Sequence, residues 1–343
     1  MINEGFYQHK KKYDFQRTIE RNKDFITDDD IFLIQKYVDH KEKSEHITKV
    51  RSYKLSTVLV ILRKFITMPY REMSLDDVLA GIDTMKNANS IKYDHQGNTL
   101  EGPKLKQGTV YDYVTVLKTF LMWLSENEIC TCGTVNDLTR TICANRKCKA
   151  PLKQTATNGF TSLELKKITA PRKKDATERI DEKDILTPAE IKQIIRSTVS
   201  IRDRALLSVL YESGARAGEI GRAVWDDVEF DKHGVSMKIA DTKTNKKRYS
   251  RLIESTETLV SWRNMHPAPT GQNFIFINPD GSPMTYIGMK RVLERAHARA
   301  RIPVEVENGE TEMMSIIKPV RLHMLRHARA THLIQQNYNI EKV

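Results

Sequence analysis

His323 and Arg326 stand three positions apart in Arg321-Leu322-His323-Met324-Leu325-Arg326-His327. On a helix that spacing puts both side chains on one face, so an imidazole and a guanidinium can reach the same bound anion. Far upstream, Arg216 follows Gly214 in Tyr211-Glu212-Ser213-Gly214-Ala215-Arg216-Ala217-Gly218-Glu219, and Glu219 is close enough in sequence to orient it. Lys243, Lys246 and Lys247 supply amines in Thr242-Lys243-Thr244-Asn245-Lys246-Lys247. If these groups converge, they form a phosphate site. Guanidinium forks match phosphate oxygens, and a lysine can give a proton to a departing oxygen. Taken singly, each has a plainer reading: an Arg–Glu pair at a helix start, a surface lysine, a histidine packed beside an unrelated arginine.

The elements that would carry these residues follow from periodicity and caps. Thr187-Pro188-Ala189-Glu190 is a helix start with a capping threonine, a first-turn proline and a glutamate three residues on. Ala205 to Tyr211 is a buried helix leading to Gly214, and Val235-Ser236-Met237-Lys238-Ile239 alternates as a short strand ahead of the lysine hairpin. Upstream, helices are predicted after Thr27-Asp28-Asp29-Asp30, from about Thr48 through Phe65, from Ser74, and from Thr109 through Glu126. Lys49, Arg51, Lys54, Arg63 and Lys64 fall on the basic side of the second of these, and Lys118 on the outward side of the last. The polar span from Lys86 to Gly108 reads as a long connection or irregular insertion.

The chain of 343 residues is 39% hydrophobic and 29% charged with a net charge of +12, a balance that favours an anionic partner, nucleic acid first. Residues 141–180 hold ten Lys or Arg against three Asp or Glu, broken by Pro151, Gly159 and Pro171, as in a basic domain junction. Residues 1–25 read as a basic arm, either solvated or laid on DNA. Without an 18-residue apolar run or a secretory segment, a soluble, cytoplasmic protein with no membrane partner is expected. All four cysteines, Cys130, Cys132, Cys143 and Cys148, fall within nineteen residues. They could ligate a structural zinc, stay as separate reduced thiols or pair as disulfides. The spacing C-x-C-x10-C-x4-C is not the usual paired C-x2-C.

Taken in order, Gly214-Ala215-Arg216-Ala217-Gly218-Glu219, the lysine hairpin at 242–246 and His323-Met324-Leu325-Arg326-His327 resemble the tyrosine recombinase, or phage-type integrase, family. Trp262-Arg263-Asn264-Met265-His266-Pro267 and Arg326-His327-Ala328-Arg329-Ala330-Thr331 resemble integrases of archaea and their mobile elements. The resemblance spans about residues 28 to 343 and implies a mainly α protein with a small antiparallel β-sheet, built as a two-domain, C-shaped DNA clamp. Its parts would be the arm at 1–25, a helical core-binding (SAM-like) domain at 26–150, a basic linker at 151–183 and a catalytic domain at 184–343.

The resemblance further implies site-specific DNA recombination through a 3′-phosphotyrosyl intermediate, with no cofactor for catalysis. Arg216 and Arg326 would hold the scissile phosphate, and His323 would assist as acid–base and hydrogen-bond donor. Lys243 would be the general acid, with Lys246 the runner-up; Glu219 would be structural and His327 supporting. The partners implied are double-stranded DNA and a recombination tetramer on it, with a monomer expected for this chain off DNA. The family's nucleophilic tyrosine falls about thirty residues after the second arginine. Tyr338 is too close to Arg326 for that, so the nucleophile is expected beyond Val343 and this chain is expected to bind DNA without cleaving it. The alternative is a non-catalytic, sequence-specific DNA-binding protein with a recombinase-like fold.

Overall fold

The computed structural model describes residues 14–93, 99–130, 132–153, 156–171, 182–240, 247–305 and 310–338. It is mainly helical with small antiparallel sheets, and the described residues divide into two units, one within 14–171 and the other from 182 on.

In the first unit, helices α1 (Phe15–Glu20), α2 (Asp28–Glu45), α3 (Lys49–Leu62) and α4 (Leu75–Asn87) precede a hairpin of β1 (Asn89–Tyr93) and β2 (Thr99–Lys104). Helix α5 (Gln107–Glu126), a short hairpin of β3 (Asn127–Ile129) and β4 (Val135–Asp137), and α6 (Ser162–Lys167) follow. Side-chain caps set the starts: Thr27 and Ser74 each accept from the third helical N–H while Asp30 and Asp77 return the bond, satisfying donors that a helix end leaves open. The apolar stripes of α2, α3 and α5 meet in a core that includes Leu33, Tyr37, Leu59, Leu117, Phe120 and Leu124.

Several residues depart from the sequence expectation for physical reasons. Arg63, assigned to a basic face, is 3% exposed. Its Nε donates to the Asp30 carboxylate at 2.8 Å, and its other nitrogens donate to the Ile66, Thr67 and Met68 carbonyls that end the helix. Asp30 also accepts the Tyr70 N–H at 2.8 Å, so the buried pair is fully hydrogen-bonded. Lys118 turns back to cap the Ile168 carbonyl at 2.9 Å. The span expected as a basic linker supplies Phe160, Leu165 and Ile168 to this core. Within the expected arm, residues 15–20 are helical and pack on α3. The span read as an irregular connection holds the β1–β2 pair. Gly81 is needed where α4 passes the turn that follows α3, since a Cβ there would sit 2.3 Å from the Ile66 side chain.

The second unit opens with α7 (Pro188–Arg196), capped reciprocally by Thr187 and Glu190, then α8 (Ile201–Ser213) and the single turn α9 (Ala217–Ile220). A three-stranded antiparallel sheet of β5 (Val228–Asp231), β6 (Gly234–Ala240) and β7 (Lys247–Leu252) follows, in that spatial order. Val235, Met237 and Ile239 alternate inward along β6, as a half-buried strand requires. Helices α10 (Thr256–Met265) and α11 (Tyr286–Arg299), the hairpin β8 (Arg301–Glu305) with β9 (Thr311–Ser315), and α12 (Leu322–Gln335) complete it. Helix α8 lies against α10, α12 and β7, and its Leu206, Leu207 and Leu210 are buried. Among the described residues no helix is long and apolar enough to cross a membrane.

Candidate active site

The site forms where α12 packs on the C-terminal end of α8. Helix α8 stops at Gly214, whose φ of 56° is left-handed and suits glycine, and the chain turns so that Arg216 becomes the residue just ahead of α9. Arg326, on the first turns of α12, donates from Nη1 to the Gly214 carbonyl at 2.5 Å, although 112 residues separate them in sequence. Two further contacts clamp the helices: the Tyr211 hydroxyl lies 2.8 Å from His332 Nδ1, and the Arg329 guanidinium sits 5.5 Å from the Tyr211 ring centroid.

Arg216 is fixed by Glu219. The carboxylate accepts the Arg216 backbone N–H at 2.8 Å and its Nη1 at 3.0 Å, while the Arg216 side chain stays 44% exposed. The same carboxylate, 1% exposed, accepts Nη2 of Arg248 from β7 at 2.9 Å. Burial raises the Glu219 pKa, but the bonds from Arg248 and Arg216 outweigh it and leave the carboxyl below its ordinary value. Glu219 therefore stays ionised and holds two cations at the base of the β6–β7 hairpin, where Ala240 pairs with Lys247. Lys243 and Lys246 lie outside the described residues.

His323 is exposed on the first turn of α12, with its ring 4.5 Å from that of His327. Partial burial lowers its pKa, and the charges of His327, Arg326 and Arg216 push in the same direction. Arg326 is thus held at the carbonyl two residues before Arg216, and His323 stands three positions before Arg326 on the same helix. A cluster of one imidazole and two partly exposed guanidiniums can meet the charge of a phosphodiester and stabilise more charge as it develops.

Sequence reasoning passed over Arg248. The available signal was strand parity: Arg248, Ser250 and Leu252 alternate with exposed Lys247, Tyr249 and Arg251, so Arg248 shares the face of buried Leu252. It also passed over Glu212, whose carboxylate accepts the backbone N–H groups of Ile253, Glu254 and Ser255 at 2.6, 2.9 and 2.8 Å and so holds the start of α10. In the first unit, the sulfur atoms of Cys130, Cys132, Cys143 and Cys148 all lie within 4.8 Å of one another, a four-cysteine cluster capable of coordinating a metal ion.

Residues 184–343 match the profile of the Phage integrase family. The matched stretch covers a little under half of the chain, and its similarity is to the phage integrase family. The tyrosine recombinase XerC of Staphylococcus haemolyticus is 29% identical over 146 residues, covering 42% of this chain and 43% of that relative. A tyrosine recombinase of Pseudothermotoga lettingae is 26% identical over 259 residues, 70% of this chain and 82% of the relative. The chain spans about half the length of most of these curated relatives, 43% to 50% among the first seven. In fold, the chain is similar to a lambda integrase dimer bound to a COC′ core site, with a TM-score of 0.57 at 14% identity over 90% of this chain and 91% of that one. The Tn1549 transposon integrase in complex with circular intermediate DNA gives a TM-score of 0.52 at 15% identity over 90% and 89%.

Proposed function

We propose that the protein is a site-specific DNA recombinase that cleaves and rejoins strands through a 3′-phosphotyrosyl intermediate. The observation that supports this is the hydrogen bond from Arg326 to the Gly214 carbonyl, two residues before Arg216, across 112 positions of sequence. In the proposed reaction the two guanidiniums neutralise the nonbridging oxygens of the scissile phosphate. A tyrosine oxygen attacks phosphorus, and the bond to the 5′ oxygen breaks as Lys243 delivers its proton. The phosphotyrosyl ester preserves the bond for rejoining, and positioned cations carry the electrostatic part of the rate without a catalytic metal. His323 donates to a phosphate oxygen and shuttles a proton. Glu219 acts through Arg216 and Arg248.

The nucleophile is assigned to a tyrosine beyond Val343 and not to Tyr338. Tyr338 follows the end of α12 by three residues and stands only twelve positions after Arg326, well short of the family's spacing. The proposed partner is duplex DNA, gripped by a helical core-binding domain that runs from α1 through Ile168 and the catalytic domain from 184, with a tetramer at synapsis. Off DNA the chain of 343 residues is proposed to be monomeric and cytoplasmic. The Trp262–Pro267 and Arg326–Thr331 phrases favour an archaeal or mobile-element setting.

The test uses half-site duplexes enriched from a random pool by this chain and then nicked so that cleavage cannot reverse. The polypeptide extended through the codons after Val343 is expected to give an adduct that survives denaturation, abolished by Arg216→Ala or Arg326→Ala. Residues 1–343 alone are expected to bind without an adduct. Binding without adduct by the extended polypeptide would move the protein to the non-catalytic DNA-binding reading, and an adduct through Tyr338 would overturn the nucleophile assignment.

A further inference from the structure

Within residues 127–153, Ile129 and Val135 pack on the first unit's core, but the cysteine-bearing remainder has little apolar surface of its own to fold around. Among the described residues of 130–153 only Cys130, Gly133, Asn136 and Cys143 are buried, and Ile142 is 55% exposed. A segment this small without an apolar core needs another staple, and metals and disulfides are the usual ones. The backbone nevertheless forms two short hairpins. The first is β3–β4, with Cys130 and Cys132 at its turn. The second runs from Thr141 to Leu152, joined by the Ile142–Pro151 bridge, the Cys143 N–H to the Ala150 carbonyl at 2.9 Å and the Leu152 N–H to the Thr141 carbonyl at 2.9 Å, with Cys143 and Cys148 facing the first pair.

The sulfur geometry is that of a tetrahedron and not of two bonded pairs. Cys130 and Cys148 sulfurs lie 3.7 Å apart and those of Cys132 and Cys143 3.6 Å, with all four within 4.8 Å of one another. Four thiolates around zinc at about 2.3 Å give edges of about 3.8 Å. The surroundings suit thiolates as well. Asn145 Nδ2 points at Cys132 sulfur at 3.8 Å and Asn136 Nδ2 at Cys143 sulfur at 4.0 Å, donors of the kind that orient metal ligands. Asn136 also ties the hairpins together, accepting the Ala144 N–H at 2.8 Å and donating to the Thr134 carbonyl at 2.9 Å. Left-handed backbone at Gly133 (φ 80°) and Lys149 (φ 50°), each directly after a cysteine, gives the tight turns that aim two sulfurs inward.

The second hairpin displays one charge sign. Residues 138–153 contain Arg140, Arg146, Lys147, Lys149 and Lys153, no acidic residue, and every one of those five is exposed. We propose that the four thiolates hold one structural Zn2+ and that the ion makes residues 127–153 a rigid basic knuckle that grips the phosphate backbone of duplex DNA. The choice of DNA as the partner rests on the recombinase reading; the ion does not.

The experiment uses the whole chain purified under reducing, zinc-replete conditions. One zinc per chain is expected by elemental analysis, and cobalt exchange is expected to give thiolate-to-metal charge-transfer bands with the intense visible absorption of a tetrahedral site. Cys143→Ser should lose the metal and open residues 127–153 to protease. Because that variant also loosens the fold, the grip is read separately with Arg140→Gln/Arg146→Gln/Lys147→Gln; Lys149 is kept for its left-handed backbone. This triple variant should retain zinc while the slope of log affinity against log salt falls by about 3, since each phosphate contact contributes about 0.9. A metal-free chain, or four thiols locked in disulfides, overturns the proposal, as does a zinc-loaded triple variant with the parent's salt slope. A parent that binds no duplex refutes the recombinase reading and the grip together, and metal stoichiometry then still decides the ion.

Discussion

Glu219→Gln tests whether one buried carboxylate holds the site together. The substitution keeps one side-chain oxygen, replaces the other with an amide NH2 and removes the charge that receives Arg216 at 3.0 Å and Arg248 at 2.9 Å. A hydrogen bond to a charged group contributes about 1.5–3 kcal/mol and a neutral one about 0.5–1.5, so two such changes amount to about 2–3 kcal/mol before screening. Both guanidiniums remain partly in water, at 44% and 39% exposure, which reduces the expected loss to about 1–2 kcal/mol. With a urea slope of about 2 kcal/mol per molar, the unfolding midpoint of the second unit should drop by about 0.5–1 M. Trp123→Phe leaves Trp225 and Trp262, both in that unit, as the only tryptophans, so their fluorescence reports its unfolding. The pH dependence carries a sign. Glu219 titrates below its ordinary value, so its contribution is present above the unfolded Glu pKa of about 4.3 and is lost as pH falls through the lower folded value. Parent and variant should therefore converge in acid. Equal midpoints at neutral pH, or a gap that persists at low pH, would refute the reasoning.

Other expectations follow from the same geometry. Asp30→Asn leaves Arg63 buried and uncompensated and should cost about 3–5 kcal/mol, read from Trp123 fluorescence in urea; a near-neutral effect would show that the pair contributes little. His323 titrates below its ordinary value, so a bound phosphate that restores its proton should make duplex affinity rise as pH falls below about 6.5. His323→Gln should flatten that rise, and an unchanged pH profile would remove His323 from the phosphate. In the extended polypeptide, Lys243→Ala should slow adduct formation by about 100-fold or more while leaving affinity within about threefold, as expected for loss of a general acid, and Lys246→Ala should do neither. The reverse order would transfer the role to Lys246.

Much of the local structure was legible because its causes are local. Thr27, Ser74 and Thr187 cap helices with N–H groups three residues away, and the alternation of Val235, Met237 and Ile239 needs only the two-residue period of a strand. Arg63 and Lys118 were misplaced for the same reason. A long cationic side chain at a helix surface position is ordinarily solvated, and only the carbonyls and carboxylate brought up by neighbouring segments turned these two inward. Arg248 was missed because its partner lies 29 residues away on another element.

By itself, the sequence determined which chemistry was on offer: guanidinium, imidazole and amine groups at helical and hairpin spacings, and four thiols within nineteen residues. Tertiary structure decided which of them meet. Helix α12 settling on α8 carries Arg326 to the Gly214 carbonyl, and Asn136 of β4, accepting the Ala144 N–H, ties the two cysteine-bearing hairpins together. Spacing along a chain specifies direction over a turn or two of helix. Proximity across a hundred residues is set by how apolar faces pack, and no motif encodes it.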